Sequence, residues 1–514
     1  MSRIKPVVLI VLDGWGYSED TSNNAIFRAK TDFFDSLYRT YPHTLLDASQ
    51  QSVGLPKGQM GNSEVGHMTI GAGKIIDTDL VKIDKAIQNG DFENNEAFQK
   101  LFEHVKRNNS FLHVLGLLSD GGVHSHENHL YAFLKAAKKF GINRIVVHAI
   151  TDGRDTAPQS AAQSLKRLEN LISDLGIGFI ASASGRFYAM DRDKNWDRLK
   201  KAERVIFDLE EKDNSSLEEY TKVQDRDPSE VLEELYKIGV VDEHLEPMVF
   251  LDQNGNSYKI GSHDGVFFFN FRADRAKQLA THIAEQAESK DICFVTMTEY
   301  SPEIKTEVAY PKTQIETTIA AEVSKAGLKQ SHIAETEKYA HATYFLNGGR
   351  HEPHENEKHI LVESRKDIPT HDLAPKMRAE GIVEKTIEEL DSGVDFIFMN
   401  FANADMVGHT ANTPAIIEAV EEVDKQLEKV IKRVLELGGV AIITADHGNA
   451  ELNIDPLTGN KHTAHTLNLV PVIITSQDIK ITQKVGSLAD IAPTVLELMD
   501  IKQPISMTGK SLIV

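Results

Sequence analysis

Short, almost wholly apolar runs alternate along the chain with longer segments whose apolar residues recur every three or four positions. The runs at 7–12, 111–118, 145–150, 179–183, 266–271, 396–401 and 440–444 are rich in β-branched and aromatic residues and too short for helices. They predict buried strands. The longer segments predict helices. Over 413–437, Ile417, Val420, Val423, Leu427, Val430 and Val434 share one face, with Thr413 as N-cap, Pro414 in the first turn and Gly438-Gly439 as the stop. Over 157–175 the pattern repeats with Pro158, Leu165, Leu168, Ile172 and Leu175, ending at Gly176. This alternation is the signature of α/β layers around mainly parallel sheets.

The polar residues at their C-terminal ends divide the runs into two sets. In one, 7–12 leads to Asp13, 396–401 to Asp405, and 440–444 to Asp446 and His447. In the other, 111–118 leads to Asp120 and His124, and 145–150 to Asp152, Arg154 and Asp155; 179–183 leads to Arg186, and 266–271 to Arg272 and Arg275. Ligands of open α/β sheets lie beyond the carboxyl ends of the strands, so each set reads as one site. The arginine set is flanked on both sides by the carboxylate set, which predicts one α/β domain inserted into another. The expected boundaries are 1–77 with 312–514 for the outer domain and 82–302 for the inserted one. Hinge linkers are expected at 78–81 and 303–311, the latter bracketed by Pro302 and Pro311. The stretch 208–230, with nine acidic residues against three basic, reads as a solvated surface segment.

Length and charge narrow the function. At 514 residues the chain exceeds one compact core, and with 41% apolar and 26% charged residues it is an ordinary globular protein rather than a disordered one. The net charge of −21 repels nucleic acid and anionic lipid, so an anionic ligand must meet a local basic pocket. Cys293, the only cysteine, excludes an internal disulfide and fits a buried thiol in a reducing compartment. The apolar run before Asp13 is six residues long, far short of a membrane span, and no small-residue cleavage site comes after it. A cytoplasmic protein is expected.

Among the 21 histidines, the best metal candidates join the strand-end acids: Asp13, Asp405, His409, Asp446, His447 and His465. Asp405 and His409, four apart, share a helical face or a tight loop. Imidazole and carboxylate without thiolate suits Mn²⁺ or Zn²⁺, and the set is too large for one ion, so a two-metal cluster is the natural count. Any one of these histidines alone reads better as a satisfied polar group; three strand-end acids with two spaced histidine pairs reverse that. A nucleophile belongs nearby. Ser63, in Gly61-Asn-Ser-Glu-Val-Gly-His, stands in a Gly-rich turn opening a helix, where backbone N–H groups favour a phosphate. A metal-bound serine oxygen loses its proton readily and attacks phosphorus. The boxes His124-Ser-His126-Glu-Asn-His129 and His351-Glu-Pro-His354-Glu fail the HExxH spacing and are set aside as zinc sites. Arg154, Arg186, Arg192, Arg272 and Arg275 match phosphate and carboxylate oxygens in pairs and imply a small polyanion, although surface pairing with neighbouring aspartates accounts for any one of them.

Taken together, these residues resemble the cofactor-independent phosphoglycerate mutases of the alkaline phosphatase superfamily. The resemblance spans essentially the whole chain, through Val11-Leu-Asp-Gly-Trp-Gly, Gly61-Asn-Ser-Glu-Val-Gly-His, Ser119-Asp-Gly-Gly-Val-His-Ser-His, Thr151-Asp-Gly-Arg-Asp, Ser184-Gly-Arg, Asn270-Phe-Arg, Glu335-Thr-Glu-Lys-Tyr-Ala-His, Asp446-His-Gly-Asn and His462-Thr-Ala-His. One departure is Ala273 where proline is expected; it touches no reactive group. The resemblance implies a phosphatase-like metal domain interrupted by a second α/β domain. It implies one metal site of Asp405, His409 and His465 and a second of Asp13, Ser63, Asp446 and His447, with two Mn²⁺ ions usual and other divalent ions possible. It makes Ser63 the nucleophile and matches His124, Arg154, Asp155, Arg186, Arg192, Arg272, Arg275 and Lys338 to substrate-binding positions.

The implied reaction interconverts 3-phosphoglycerate and 2-phosphoglycerate through phosphoserine, with Lys338 offsetting phosphoryl charge and Asp155 as the acid that protonates the departing alkoxide. The inserted domain then has to exclude water, by closure about the two linkers. The expected partner is the small-molecule substrate alone, without nucleic acid or membrane, in a monomeric chain. A metal-dependent phosphatase or a phosphopentomutase of the same superfamily would share the metal core but not His124 and the arginines. An anion-binding protein with a structural metal would not need Ser63 beside the metals.

Overall fold

The computed structural model describes residues 4–207 and 220–514. The chain forms two compact units: Met1–Thr78 with Thr313–Val514, and Asp79–Lys312. Each is built on its own eight-stranded sheet.

The sheet of the first unit runs Glu357–Val362, Gln330–Glu335, Phe396–Phe401, Val7–Leu12, Val440–Thr444, Val470–Ile474, His43–Asp47 and Gly486–Ser487. Its first five strands are parallel, and Val470–Ile474 is antiparallel to both neighbours. The central strands are buried on both faces, which is why they read as continuous apolar runs rather than alternating ones. The helix Thr413–Glu436 covers the sheet with Ile416, Ala419, Val420, Val423, Leu427, Val430, Ile431 and Val434. It starts one residue earlier than the apolar pattern suggests, with Asn412 at the N-cap, and Gly438 in the left-handed region stands just past its end.

The sheet of the second unit runs Glu307–Tyr310, Cys293–Thr298, Gly265–Phe268, Leu112–Leu117, Ile145–Thr151, Phe179–Gly185, Met248–Leu251 and Thr221–Gln224. All neighbours are parallel except Phe179–Gly185 with Met248–Leu251. Its core includes a cluster of aromatic rings, in which Phe98 packs edge-on against both Phe133 and Phe267, at 5.0 Å between centroids in each case.

Four local expectations need correction. The helix expected from 157 begins at Ala161, because the Asp242 carboxylate accepts from the N–H groups of Ser160 (2.7 Å) and Ala161 (2.9 Å) and so caps it from another segment. The stretch 303–311, expected as a linker, contains the edge strand Glu307–Tyr310; Ala309 and Tyr310 are buried, and Tyr310 stacks on Phe92. The helix Asp79–Asn89 likewise begins inside 78–81. Cys293 is half-buried at the start of its strand rather than fully enclosed. Of the acidic stretch 208–230, residues 208–219 lie outside the described residues, and Thr221–Gln224 is an exposed edge strand. Among the described residues, no helix is long and apolar enough to cross a membrane.

Candidate active site

In the first unit, four adjacent parallel strands deliver chemistry to one sheet edge. Val7–Leu12 ends at Asp13, Phe396–Phe401 leads to Asp405, Val440–Thr444 leads to Asp446 and His447, and Gln330–Glu335 leads to Lys338. Ser63 is the first residue of the helix Ser63–Ala72, whose N-cap is Asn62, accepting from Val65 N–H. The helix lies close over the strand end: a Cβ at Gly66 would stand 2.8 Å from the Asp446 carbonyl oxygen. Gly14, at φ +75°, turns the chain beside Asp405 where a side chain would collide with its backbone.

The side chains converge tightly. Lys338 Nζ donates to Asp13 Oδ1 (2.7 Å), Asp405 Oδ2 (2.6 Å) and Ser63 Oγ (2.7 Å). Ser63 Oγ lies 3.0 Å from His447 Nε2 and 3.3 Å from Asp13 Oδ1. Asp405 Oδ1, His409 Nε2 and His465 Nε2 stand 3.2 Å from one another. His447 Nε2 is 3.5 Å from both Asp13 Oδ1 and Asp446 Oδ2. Burial would deprotonate Lys338, but Asp13, Asp405 and Asp446 outweigh it and hold the ammonium charged. Burial raises Asp13, with Asp446 adding to the effect. Burial opposes ionisation of Asp405 as well, yet Lys338 and the two imidazoles hold it well below the usual carboxylate range.

A second ring of residues fixes these groups. Asn400 Nδ2 donates to Asp13 Oδ2 at 2.9 Å and faces His67 Nε2 at 3.0 Å. His67 Nδ1 reaches the Ser63 carbonyl at 2.9 Å and stands 3.3 Å from Asp446 Oδ2. Asn449 Nδ2 donates to Asp405 Oδ1 at 2.8 Å. His409 and His465 present Nε2 to the cluster because their Nδ1 atoms bond the carbonyls of Thr463 and Gly61, both at 2.8 Å.

The donor set fits divalent ions. Ligand atoms on metal bonds of about 2.0 Å stand roughly 3.3 Å apart in a tetrahedral site, the spacing found among Asp405, His409 and His465. Asp13, Asp446 and His447 bring ligand atoms within 4.8 Å of one another, and so do Asp405, His447 and His465. Asp446 Oδ2 is fully buried without a hydrogen-bond partner. Three buried carboxylates against one ammonium leave negative charge that a cation would balance.

The second unit repeats the arrangement with opposite charge. Gly265–Phe268, Leu112–Leu117, Ile145–Thr151 and Phe179–Gly185 are adjacent and parallel, and lead to Arg272 with Arg275, His124, Arg154 with Asp155, and Arg186. Arg186 is buried and donates to Asp152 Oδ1 (2.6 Å) and Asp155 Oδ2 (2.5 Å). Asp274 stands 3.2 Å from Arg272, 3.4 Å from Arg192 and 3.5 Å from His124 Nδ1. Arg154 pairs with Glu243 at 3.3 Å. Burial first, and then the guanidinium groups of Arg192, Arg186 and Arg154, push Arg275 down. His124 is lowered to about 4, by burial first and then by Arg186, against Asp274 and Asp155. The set-aside histidines have other work: His126 caps the helix Glu127–Phe140, and His129 lies 2.9 Å from Asp84.

Every residue of the carboxylate–histidine set, with Ser63 and Lys338, thus falls in one cluster, and His124, Asp155 and the five arginines fall in the other. Sequence reasoning did not single out His67, Asn400 or Asn449 as members of the site. His67 and Asn449 close the motifs that open on Gly61 and Asp446; Asn400 had no signal beyond being a polar residue in an apolar run.

Known proteins show the same two parts. Residues 83–302 match the family described as BPG-independent PGAM N-terminus, and residues 274–490 match the family described as type I phosphodiesterase / nucleotide pyrophosphatase. A 2,3-bisphosphoglycerate-independent phosphoglycerate mutase of Clostridium botulinum is 46% identical, covering 99% of both chains. One from Listeria innocua is 45% identical over the same shares. The crystal structure of Leishmania mexicana phosphoglycerate mutase at low cobalt concentration matches with 29% identity and a TM-score of 0.59, covering 100% of this chain and 98% of that one.

Proposed function

The chain belongs to the 2,3-bisphosphoglycerate-independent phosphoglycerate mutase family, and from that premise we propose how its residues interconvert 3-phosphoglycerate and 2-phosphoglycerate. Asp405, His409 and His465 would hold one divalent ion, and Asp13, Ser63, Asp446 and His447 another, with Mn²⁺ as the ion. When bound, such ions lower the pKa of a serine hydroxyl and offset charge on phosphoryl oxygens.

The arginine set grips the phosphate and carboxylate of the substrate. Ser63 Oγ, its proton already lost to solvent, attacks phosphorus as the alkoxide, the bond from phosphorus to O3 breaks, and Asp155 protonates the departing alkoxide. Asp155 then takes the proton of the O2 hydroxyl, O2 attacks phosphoserine, and Ser63 Oγ leaves. Lys338, already 2.7 Å from Ser63 Oγ, stabilises the charge on the transferring group. Glycerate has to stay bound between the two transfers, with water kept out, or the enzyme becomes a phosphatase. The domain division, 1–77 with 312–514 and 82–302, belongs to the same proposal, with the chain crossing between the two at 78–81 and 303–311. So do a monomeric state, in which one chain supplies every residue of each cluster, and a cytoplasmic location, in keeping with a single cysteine.

The observation carrying this reading is a serine at a helix N-terminus touching both a buried lysine and an imidazole among three carboxylates. Its test is metal-stripped protein given 3-phosphoglycerate and Mn²⁺ without 2,3-bisphosphoglycerate, with phosphorus NMR as the readout. 2-Phosphoglycerate with little free phosphate is expected. Release of phosphate would overturn the mutase assignment while leaving the metal cluster in place.

A further inference from the structure

Beside the nucleophile's cluster, the first unit encloses a second group of metal-type side chains. His332 lies on the strand Gln330–Glu335, and Glu357 and His359 on its edge neighbour Glu357–Val362; His332 and His359 are cross-strand partners in register. One ligand atom from each of the three lies within 4.8 Å of the others. His359 Nε2 is 2.7 Å and His332 Nδ1 is 3.3 Å from Glu357 Oε1.

Two features make this more than a satisfied polar patch. First, the Glu357 side chain is fully buried, yet among the described residues its ion-pair partners are these two imidazoles alone. Its other donors, Asn347 Nδ2 (2.7 Å) and the His354 N–H (2.6 Å), are neutral. The carboxylate is thus fixed between the two imidazoles, placed to join them on a cation. Second, two atoms of the cluster have no hydrogen-bond partner although their residues are more than nine-tenths buried: His332 Nε2 and Asn347 Oδ1. His332 Nδ1 is 2.9 Å from the Ala342 carbonyl, which fixes the ring with its proton on Nδ1 and leaves the Nε2 lone pair open. That is the outer-shell arrangement of a metal-binding histidine.

We propose that His332, Glu357 and His359 form a binding site for a divalent transition ion of the Zn²⁺ class, separate from the ions beside Ser63. Two imidazoles and a carboxylate are three of the ligands such an ion takes, and Asn347 Oδ1 is available as a further oxygen. The ion would brace the π-helical turn His341–Phe345, whose Ala342 carbonyl holds His332. That turn directly continues the helix Thr336–Ala340 carrying Lys338. The site is structural: no group in it approaches Ser63.

The test uses crystals of the full-length, Mn²⁺-loaded enzyme equilibrated with Zn²⁺, with anomalous diffraction collected at the zinc edge. A peak bounded by His332, Glu357 and His359 is expected; its absence at saturating Zn²⁺ means a hydrogen-bonded network only and overturns the proposal. In solution, Glu357→Gln keeps the shape of the side chain and removes its charge. It should retain about one equivalent less Zn²⁺ after dialysis and bind that ion at least about 100-fold more weakly. Should Glu357→Gln fail to fold, His359→Gln at the edge strand replaces it, with the same loss expected. Zinc retention unchanged in a folded variant would sink the assignment.

Discussion

The two clusters occupy the same place in two similar sheets, beyond four adjacent parallel strands, yet they treat water in opposite ways. Beside Ser63 the acids and the lysine are sealed in, with the side chains of Asp13, Asp405 and Lys338 0%, 2% and 4% exposed, and His409, at 42%, opens the cluster to solvent. In the second unit Arg154, Arg192 and Arg272 are 55%, 50% and 52% exposed, and Arg186 with His124 forms the buried exception. Groups that stabilise developing charge work best preorganised in a dry environment, where each is worth more and nothing reorganises during reaction. Groups that capture an anion from solution need hydration and reach before it arrives. On the proposed mechanism, the contrast separates chemistry from capture.

The most severe way to break the comparison is Ser63→Ala. It should lower kcat by at least about 10⁴-fold while leaving 3-phosphoglycerate binding by the arginine cluster within a few-fold. Phosphorus NMR for turnover and calorimetry for binding separate the two readings. A variant that binds poorly and turns over normally would reverse the assignment of roles. Lys338→Met comes next, with a loss of about 10²- to 10³-fold in kcat. It also leaves Asp13 and Asp405 without their ammonium, so metal-free protein should lose about 3 to 5 kcal/mol in denaturant unfolding, with added Mn²⁺ restoring part of that. The exposed counterpart Arg154→Met should change stability by about 0.5 kcal/mol or less. Equal losses in the two variants would dissolve the distinction between sealed and open clusters.

Much of this division was legible in the sequence because a fully buried parallel strand leaves a continuous apolar run, and the charged residues within a few positions of its end mark the sheet edge. That rule picked out Asp13, Asp405, Asp446, Arg154 and Arg186. It passed over the strand Gln330–Glu335, where His332 and Ser331 interrupt the apolar signal, so Lys338 was reached only through resemblance. The start of the helix Ala161–Leu175 was misread for a related reason: its cap comes from Asp242, more than eighty positions away. Asn400 sits mid-strand and is functional only through what it touches, Asp13 and His67. Exposure was equally hidden, since the spacing of arginines carries no sign of which one will be enclosed.

Exposure also divides the arginines of the second unit among themselves. Arg186, buried against Asp152 and Asp155, should behave like a residue of the sealed cluster. Arg186→Ala strands two carboxylates and should lower kcat/KM by about 100-fold. Arg272→Ala, at an exposed position, should cost about tenfold, mainly in KM and with a marked dependence on salt. Steady-state kinetics at two ionic strengths distinguish them; identical losses would mean that burial does not set their roles.

The smallest expected effect concerns the sign of charge at His124, which stands between arginines and the carboxylates of Asp155 and Asp274. Burial and Arg186 lower its pKa to about 4, against about 6.5 in an unfolded chain. The folded protein then carries neutral His124 at pH 5 while the unfolded chain carries the imidazolium. The unfolded state binds the extra proton, so stability falls as pH drops from about 6.5 to about 4 and levels off below. His124→Asn should remove up to one proton from the uptake on unfolding at pH 5, and a ring resonance absent from the variant's NMR spectrum should titrate near 4. Titration near 6.5 or above would mean that Asp155 and Asp274 prevail over the guanidinium groups. The capture cluster would then hold one more positive charge before substrate arrives, and the exposed arginines would carry less of the attraction than their number suggests.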